Sequence, residues 1–296
     1  MIDGILRPLR FARGDPAEAT LVVAREADDE ELLEPLNALV GEDIQLEHDG
    51  RIICSACGSV TRRSYADGHC YTCFKRLARC DLCVVSPARC HYAQGTCREP
   101  DWGEAFCMRP HRVYLANSSG PKVGITGGDC AVGRWLDQGA SQGVVVARAP
   151  TRHLAGVLEE ALARRIGDRT DWRALVTRDA PPVDLAALRV RLRPEPHELP
   201  AGVEWLDDEP IEQLSYPVLR YPRGHRRGPV QLELQREPRL RGVLLGVKGQ
   251  YLLFDHGVLN VRRHNGFHIR LARTAELAPE DLAAEVRIPQ MELFPE

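Results

Sequence analysis

Several large protein classes are excluded by what this chain does not have. No run of about 18 or more consecutive apolar residues occurs in its 296 residues, so no membrane-spanning helix is expected. The opening stretch MIDGILRPLRFARGD lacks the apolar core of a secretory signal, which makes the cytoplasm the expected compartment. Aromatic residues are scarce, at 6%, and lysine occurs only at Lys75, Lys122 and Lys248 among 39 basic residues. Such an excess of arginine, with the Ala, Gly and Pro content, marks a GC-rich genome rather than a function.

What is present suffices for about two domains, with 44% hydrophobic residues to build their cores. The net charge of −3 hides an asymmetry. Residues 1–50 carry four Arg and thirteen acids, whereas residues 220–273 carry twelve Lys or Arg and three acids, so the overall balance says little about partners. Residues 1–53 read as a small acidic β-rich segment, with strands at Thr20–Ala24 and Ile44–His48 and a hairpin turn at Asp49-Gly50.

Nine of the ten cysteines lie between Cys54 and Cys107. Without a secretion signal, that density points to metal rather than to disulfides. Cys54-x2-Cys57 and Cys70-x2-Cys73, twelve residues apart, form two knuckles able to share one tetrahedral Zn²⁺. A second set is expected from Cys80, Cys83, Cys90 and Cys97, with Cys107 as the substitute and His91 and His111 as further nitrogens. An iron–sulfur cluster would use the same thiols, but paired CxxC knuckles favour zinc, and all-thiolate sites are closed and structural. Residues 54–110 are therefore read as a zinc-binding module with two structural ions. Arg62, Arg63, Lys75, Arg76 and Arg79, interleaved with Tyr65, Tyr71 and Phe74, suit contact with phosphates and bases; bracing of a neighbouring domain is the competing reading.

Residues 111–117 and 122–126 are apolar and β-branched and flank Ser118-Ser119-Gly120-Pro121, which reads as a hairpin. A third strand follows at Gly143–Ala149, and Thr151 can cap a helix with Leu154, Val157, Leu158, Ala161 and Leu162 on one face. This order resembles the GIY-YIG nuclease module. Arg112-Val113-Tyr114 matches its first motif and Lys122-Val123-Gly124 its second, with lysine where most members have tyrosine. The resemblance implies that Tyr114, with Lys122, helps to deprotonate the attacking water, that Arg134 contacts the scissile phosphate, and that Glu159, with Glu160 as fallback, holds one Mg²⁺ or Mn²⁺. Gln138 stands where many members have histidine, and the family's closing asparagine is absent, since no asparagine occurs between Asn117 and Asn260. The ribbon, CDLC, CREPDWGEAFC, VYLANSSGPKVGIT and RWLDQGA also resemble, in that order, a bacterial family that carries only a domain-of-unknown-function label.

Residues 179–215 are acidic and rich in proline and read as a linker with one short helix near Asp184–Leu192. Residues 216–273 read as closely spaced strands at 242–247, 250–254, 258–261 and 267–271, a small OB-like or SH3-like barrel. Its arginines, among them Arg223, Arg226, Arg227, Arg262 and Arg263, suit a phosphate backbone, unless they dock on the acidic N-terminal segment instead. Residues 274–296 form a tail in which Gln290-Met291-Glu292-Leu293-Phe294 resembles the peptide by which bacterial replication and repair proteins bind the sliding clamp. That resemblance implies Gln290, Leu293 and Phe294 as contacts.

Together these readings give an α+β chain: a GIY-YIG-like domain over 111–178, flanked by a zinc ribbon and a small β-barrel. The expected function is a metal-dependent nucleic-acid phosphodiesterase, with DNA favoured by the clamp-like tail and RNA left open. Its rivals are a non-catalytic nucleic-acid adaptor built on the same residues and a purely structural scaffold.

Overall fold

The computed structural model describes residues 1–25, 30–128, 131–167, 169–222 and 228–277. The elements that position the sites are, in chain order, β1 (Ile2–Leu6), β2 (Glu18–Ala24), β3 (Asp43–Ile53), α1 (Pro100–Cys107), β4 (His111–Asn117), β5 (Pro121–Gly127), α2 (Ala131–Asp137), β6 (Gln142–Ala149), α3 (Arg152–Ile166), α4 (Leu185–Leu192), β7 (Arg239–Lys248), β8 (Tyr251–Phe254), β9 (Val258–Asn260) and β10 (Phe267–Arg273). The fold is mixed α+β, with one large curled sheet and one small sheet. The chain forms two compact units: Met1–Arg10, Glu18–Tyr71 and Pro217–Glu296 make one, Phe11–Ala17 and Thr72–Tyr216 the other. No helix among the described residues is long and apolar enough to cross a membrane.

In the first unit the order β9-β8-β7-β3-β10-β1-β2 runs through strands from both ends of the chain. The acidic N-terminal segment and the basic C-terminal strands are thus one sheet rather than two domains, because β3 pairs antiparallel with β7 on one side and β10 on the other. The charge asymmetry is spent across these ladders: Arg239 meets Glu47 at 2.8 Å, Arg241 meets Asp43 at 3.1 Å, and Arg270 meets Asp3 at 3.3 Å. Exposed pairs such as the last two each contribute about 0–1 kcal/mol, so they favour the register more than they hold the sheet. The holding comes from apolar side chains such as Leu21, Val23, Ile44, Leu46, Leu244 and Ile269, all buried.

Asp49-Gly50 is not a hairpin turn. β3 continues through it, and the register against β10 slips between the pairs His48–Ile269 and Ile52–Phe267, which is a bulge. Gly50 has φ of +91°, and Asp49 accepts from the Arg51 backbone amide at 3.0 Å. A dipeptide suited to positive φ serves a bulge as well as a turn. At Lys248-Gly249 the turn reading holds, since Lys248 pairs with Tyr251 in the β7–β8 hairpin.

The small sheet of the second unit is centred on the order β6-β4-β5. One face packs Val113, Leu115, Val123, Val144 and Val146 against Ala155, Leu158 and Leu162 of α3 and Leu185, Leu188 and Leu192 of α4. The other packs Tyr114, Ala116 and Val145 against Ala131 and Trp135 of α2. Residues 179–215 are accordingly no linker. They supply α4, and short strands at Glu204–Trp205 and Glu212–Gln213 pair with β6. Their prolines punctuate these pieces, while the leucines of α4 bury a full apolar stripe.

Candidate catalytic cluster and cysteine centres

Tyr114 sits in the middle of β4 with its ring fully buried. Opposite it on β5 is Gly124, and the tyrosine ring fills the space that a side chain there would take: a Cβ at 124 would lie 2.6 Å from Cζ of Tyr114. The last turn of α2 is aimed by Trp135, which meets the Tyr114 ring edge to face at 5.9 Å. That places two polar groups on the phenol: Tyr114 donates to Gln138 Oε1 at 3.0 Å, and the Arg134 guanidinium hydrogen-bonds it as well.

Thr151 caps α3, its hydroxyl accepting from the Leu154 amide at 3.3 Å, and so sets which residues of the helix turn inward. Leu158 is buried, and the half-buried Glu159 beside it lies near enough to act electrostatically on Tyr114. Glu160 is exposed and paired with Arg164 at 2.9 Å. Of the two glutamates, Glu159 is the one whose charge acts on the tyrosine.

Burial pushes the Tyr114 phenol above its ordinary pKa, and the Glu159 charge adds to this, outweighing the opposing effects of Arg134 and the hydrogen bonds. The phenol therefore keeps its proton near neutrality, and the base role expected from the resemblance does not follow from this environment. Lys122 is buried, with Nζ donating to Thr170 Oγ1 at 2.8 Å.

The first cysteine set is brought together as its spacing predicts. The ligand atoms of Cys54, Cys57, Cys70 and Cys73 all lie within 4.8 Å of one another. Cys57 and Cys70 are 3.8 Å apart at sulfur; zinc–sulfur bonds of about 2.3 Å in a tetrahedron place sulfurs about 3.8 Å from each other. The knuckles are tight: the Gly58 amide donates to Cys54 O at 2.9 Å with φ of +70°, and the Ser55 amide donates to Gly68 O at 2.8 Å. A Cβ at Gly68 would come within 2.5 Å of Asn265 Nδ2, so only glycine admits that contact. This cluster is compatible with a structural zinc.

The second set is arranged differently from its expected form. Cys83, Cys90, Cys97 and Cys107 line one small cavity with Asp81 and His91, and Cys80 is not among the lining residues. Burial, Asp81 and the neighbouring Cys90 and Cys107 push the Cys83 thiol up to about 11. His111 does not line this cavity either. Its Nδ1 engages Arg109 O at 2.8 Å, its ring meets the edge of Phe106, and burial lowers its pKa.

Of the arginines expected to meet nucleic acid, Arg62, Arg63 and Arg263 line one groove of about 550 Å³ together with Arg236, which sequence reading did not single out. Asp67 and Glu233 line it too, and Glu233 pairs with Arg263 at 3.3 Å. Arg63 stacks over Tyr65, whose ring meets Tyr71 edge to face. Lys75 is exposed and Arg262 half-buried, both outside the groove lining. Arg223, Arg226, Arg227, Gln290, Leu293 and Phe294 lie outside the described residues.

Residues 41–269 match the model of the family described as protein of unknown function (DUF2797), and the chain belongs to that family. No curated protein and no solved structure matches it.

Proposed function

We propose that this DUF2797 chain is a metal-dependent nucleic-acid phosphodiesterase whose working module, residues 111–178, is of GIY-YIG type. The observation that supports it is the hydrogen bonding of Arg134 and Gln138 to the phenol of Tyr114, packed over Gly124 and within reach of the Glu159 charge. In that reading Arg134 takes up charge on the phosphoryl group. Glu159 would hold Mg²⁺ or Mn²⁺, since one carboxylate completed by substrate phosphate and water oxygens suits a hard cation. When bound, such an ion supplies Lewis-acid stabilisation and an activated water. Tyr114, with its proton held, orients Arg134 and donates a hydrogen bond rather than accepting a proton. Lys122, engaged with Thr170, supports β5.

A second reading, a non-catalytic adaptor, is favoured by one observation: Tyr114 and Lys122, to which the resemblance gives the deprotonation of water, are both buried. The groove of Arg62, Arg63, Arg236 and Arg263 would then carry the binding through phosphates, with Tyr65 and Tyr71 as stacking surfaces.

The test is a nicking and cleavage assay on branched, duplex and single-stranded DNA and RNA with Mg²⁺ or Mn²⁺. Cleavage is expected from the wild-type chain, and Glu159→Gln is expected to abolish it while leaving binding intact. Salt-dependent binding without cleavage would establish the adaptor instead. Neither binding nor cleavage would leave the scaffold reading.

A further inference from the structure

The cavity beside α1 holds more sulfur than a packing defect requires. Cys83, Cys90, Cys97 and Cys107 converge on it from four separate turns of chain. Its volume is about 10 Å³, which is room for one atom-sized guest and not for a small molecule. The approach of its walls is deliberate. A Cβ at Gly103 of α1 would stand 2.9 Å from the Tyr92 ring and 3.2 Å from Cys97 Sγ, so glycine there lets the helix that ends in Cys107 close on the turn bearing Cys97.

Asp81 and His91 also face the cavity, and with Cys83 they bring ligand atoms within 4.8 Å of one another, but the carboxylate is already held by an arginine. Asp81 accepts from Arg98 Nε at 2.6 Å, and His91 Nδ1 lies 2.8 Å from Thr96 Oγ1 with its Nε2 3.6 Å from Asp81. The four thiols are the soft donors of the lining, the set that selects zinc over hard cations.

We propose that Cys83, Cys90, Cys97 and Cys107 form a second, closed four-thiolate zinc site, with Cys80 outside it, and that this site braces α3. The brace is visible in the packing. A Cβ at Gly156 of α3 would lie 2.5 Å from Pro87, so the helix rests on the loop between Cys83 and Cys90 at backbone contact. Arg152, in the first turn of α3, donates to Cys83 O at 2.8 Å and to Val84 O at 2.6 Å. Fixing Cys83 and Cys90 to a metal thus fixes the platform under the helix that carries Glu159. The inference concerns metal content and helix order, and stands whether or not the module cleaves nucleic acid.

The full-length chain, purified with zinc, should carry two ions, and Cys90→Ser and Cys107→Ser should each lose one. Cys80→Ser should keep both. With the first site removed by Cys57→Ser and Cys70→Ser, X-ray absorption at the remaining zinc should show sulfur alone, at about 2.3 Å. Hydrogen exchange in Cys107→Ser should show residues 152–166 losing protection while the 111–127 hairpin keeps it. One ion in the wild-type chain, mixed sulfur and nitrogen or oxygen ligation, or loss of an ion in Cys80→Ser would overturn the ligand set; unchanged protection of 152–166 would overturn the brace. Wild-type stoichiometry and absorption read the site even where a variant fails to fold.

Discussion

The Tyr114 hydroxyl occupies the place of a side chain at position 124: a Cβ built on Gly124 would stand 2.5 Å from it. Gly124 does not have positive φ, so the glycine answers to packing and not to backbone conformation. Gly124→Ala is expected to cost about 1–3 kcal/mol, the range for overpacking a close-fitted core, and to displace Tyr114 from Gln138 and Arg134. Gly133→Ala, on α2 with nothing within 4 Å of its Cβ, should be neutral or stabilising by up to about 1 kcal/mol. Urea unfolding of the pair decides it; equal stabilities would refute the packing argument.

Acid should weaken the fold from near neutrality downward. Burial lowers the pKa of His48, His111 and His264 from the ordinary 6.5. Below 6.5 the unfolded chain takes up protons that the folded chain refuses, so the stability these groups give is complete above 6.5 and drains away as pH falls towards their folded values. Each contributes a slope of up to about 1.4 kcal/mol per pH unit in that window. Denaturation from pH 7.5 to 5.5 should show the fall, and His264→Gln should flatten it. A variant with the wild-type slope would show that His264 is not held neutral.

Stripping zinc should melt the ribbon. Because the four thiols of Cys54, Cys57, Cys70 and Cys73 are held close only by short knuckles, metal binding and folding are coupled there. Chelation is expected to remove amide protection across residues 54–73, and zinc to restore it. Retained protection after complete metal loss would mean that the knuckles stand without the ion.

If the tail binds the sliding clamp as its resemblance implies, deleting residues 289–296 should abolish retention on an immobilised bacterial clamp, since Leu293 and Phe294 are the anchors that such a peptide needs. Clamp retention by the truncated chain would end the tether idea.

Sequence reached the features that neighbours in the chain decide. The hairpin of β4 and β5 follows from Ser118-Ser119-Gly120-Pro121 between two β-branched runs, and Thr151 caps α3 as its position suggests. The first cysteine set is legible because CxxC spacing builds each knuckle locally. Pairings over distance were not legible. Nothing near Glu47 says that its partner is Arg239, and the Asp49-Gly50 signal fits a turn and a bulge equally. The prolines of 179–215 drew attention from Leu185, Leu188 and Leu192, whose helical spacing was the signal of a buried helix. Cys80, the CxxC neighbour of Cys83, does not line the cavity that Cys83 shares with Cys90, Cys97 and Cys107, whose turns are separated in the chain.

The insertion of β3 between β7 and β10 has a consequence for synthesis. Glu47 leaves the ribosome 192 residues before Arg239, so its strand, apart from the Ile52–Ile53 end that pairs with Val60–Thr61, waits without its two long neighbours while the intervening chain is made. At about 5–20 residues per second that interval is roughly 10–40 s. The unit dominated by residues 72–216 can close during this time, whereas β3 cannot form its long ladders with β7 and β10 until the C-terminal strands emerge. Truncated or stalled chains should therefore expose β3 to other strands, and aggregation during expression should track the length of chain still missing rather than the loss of either site.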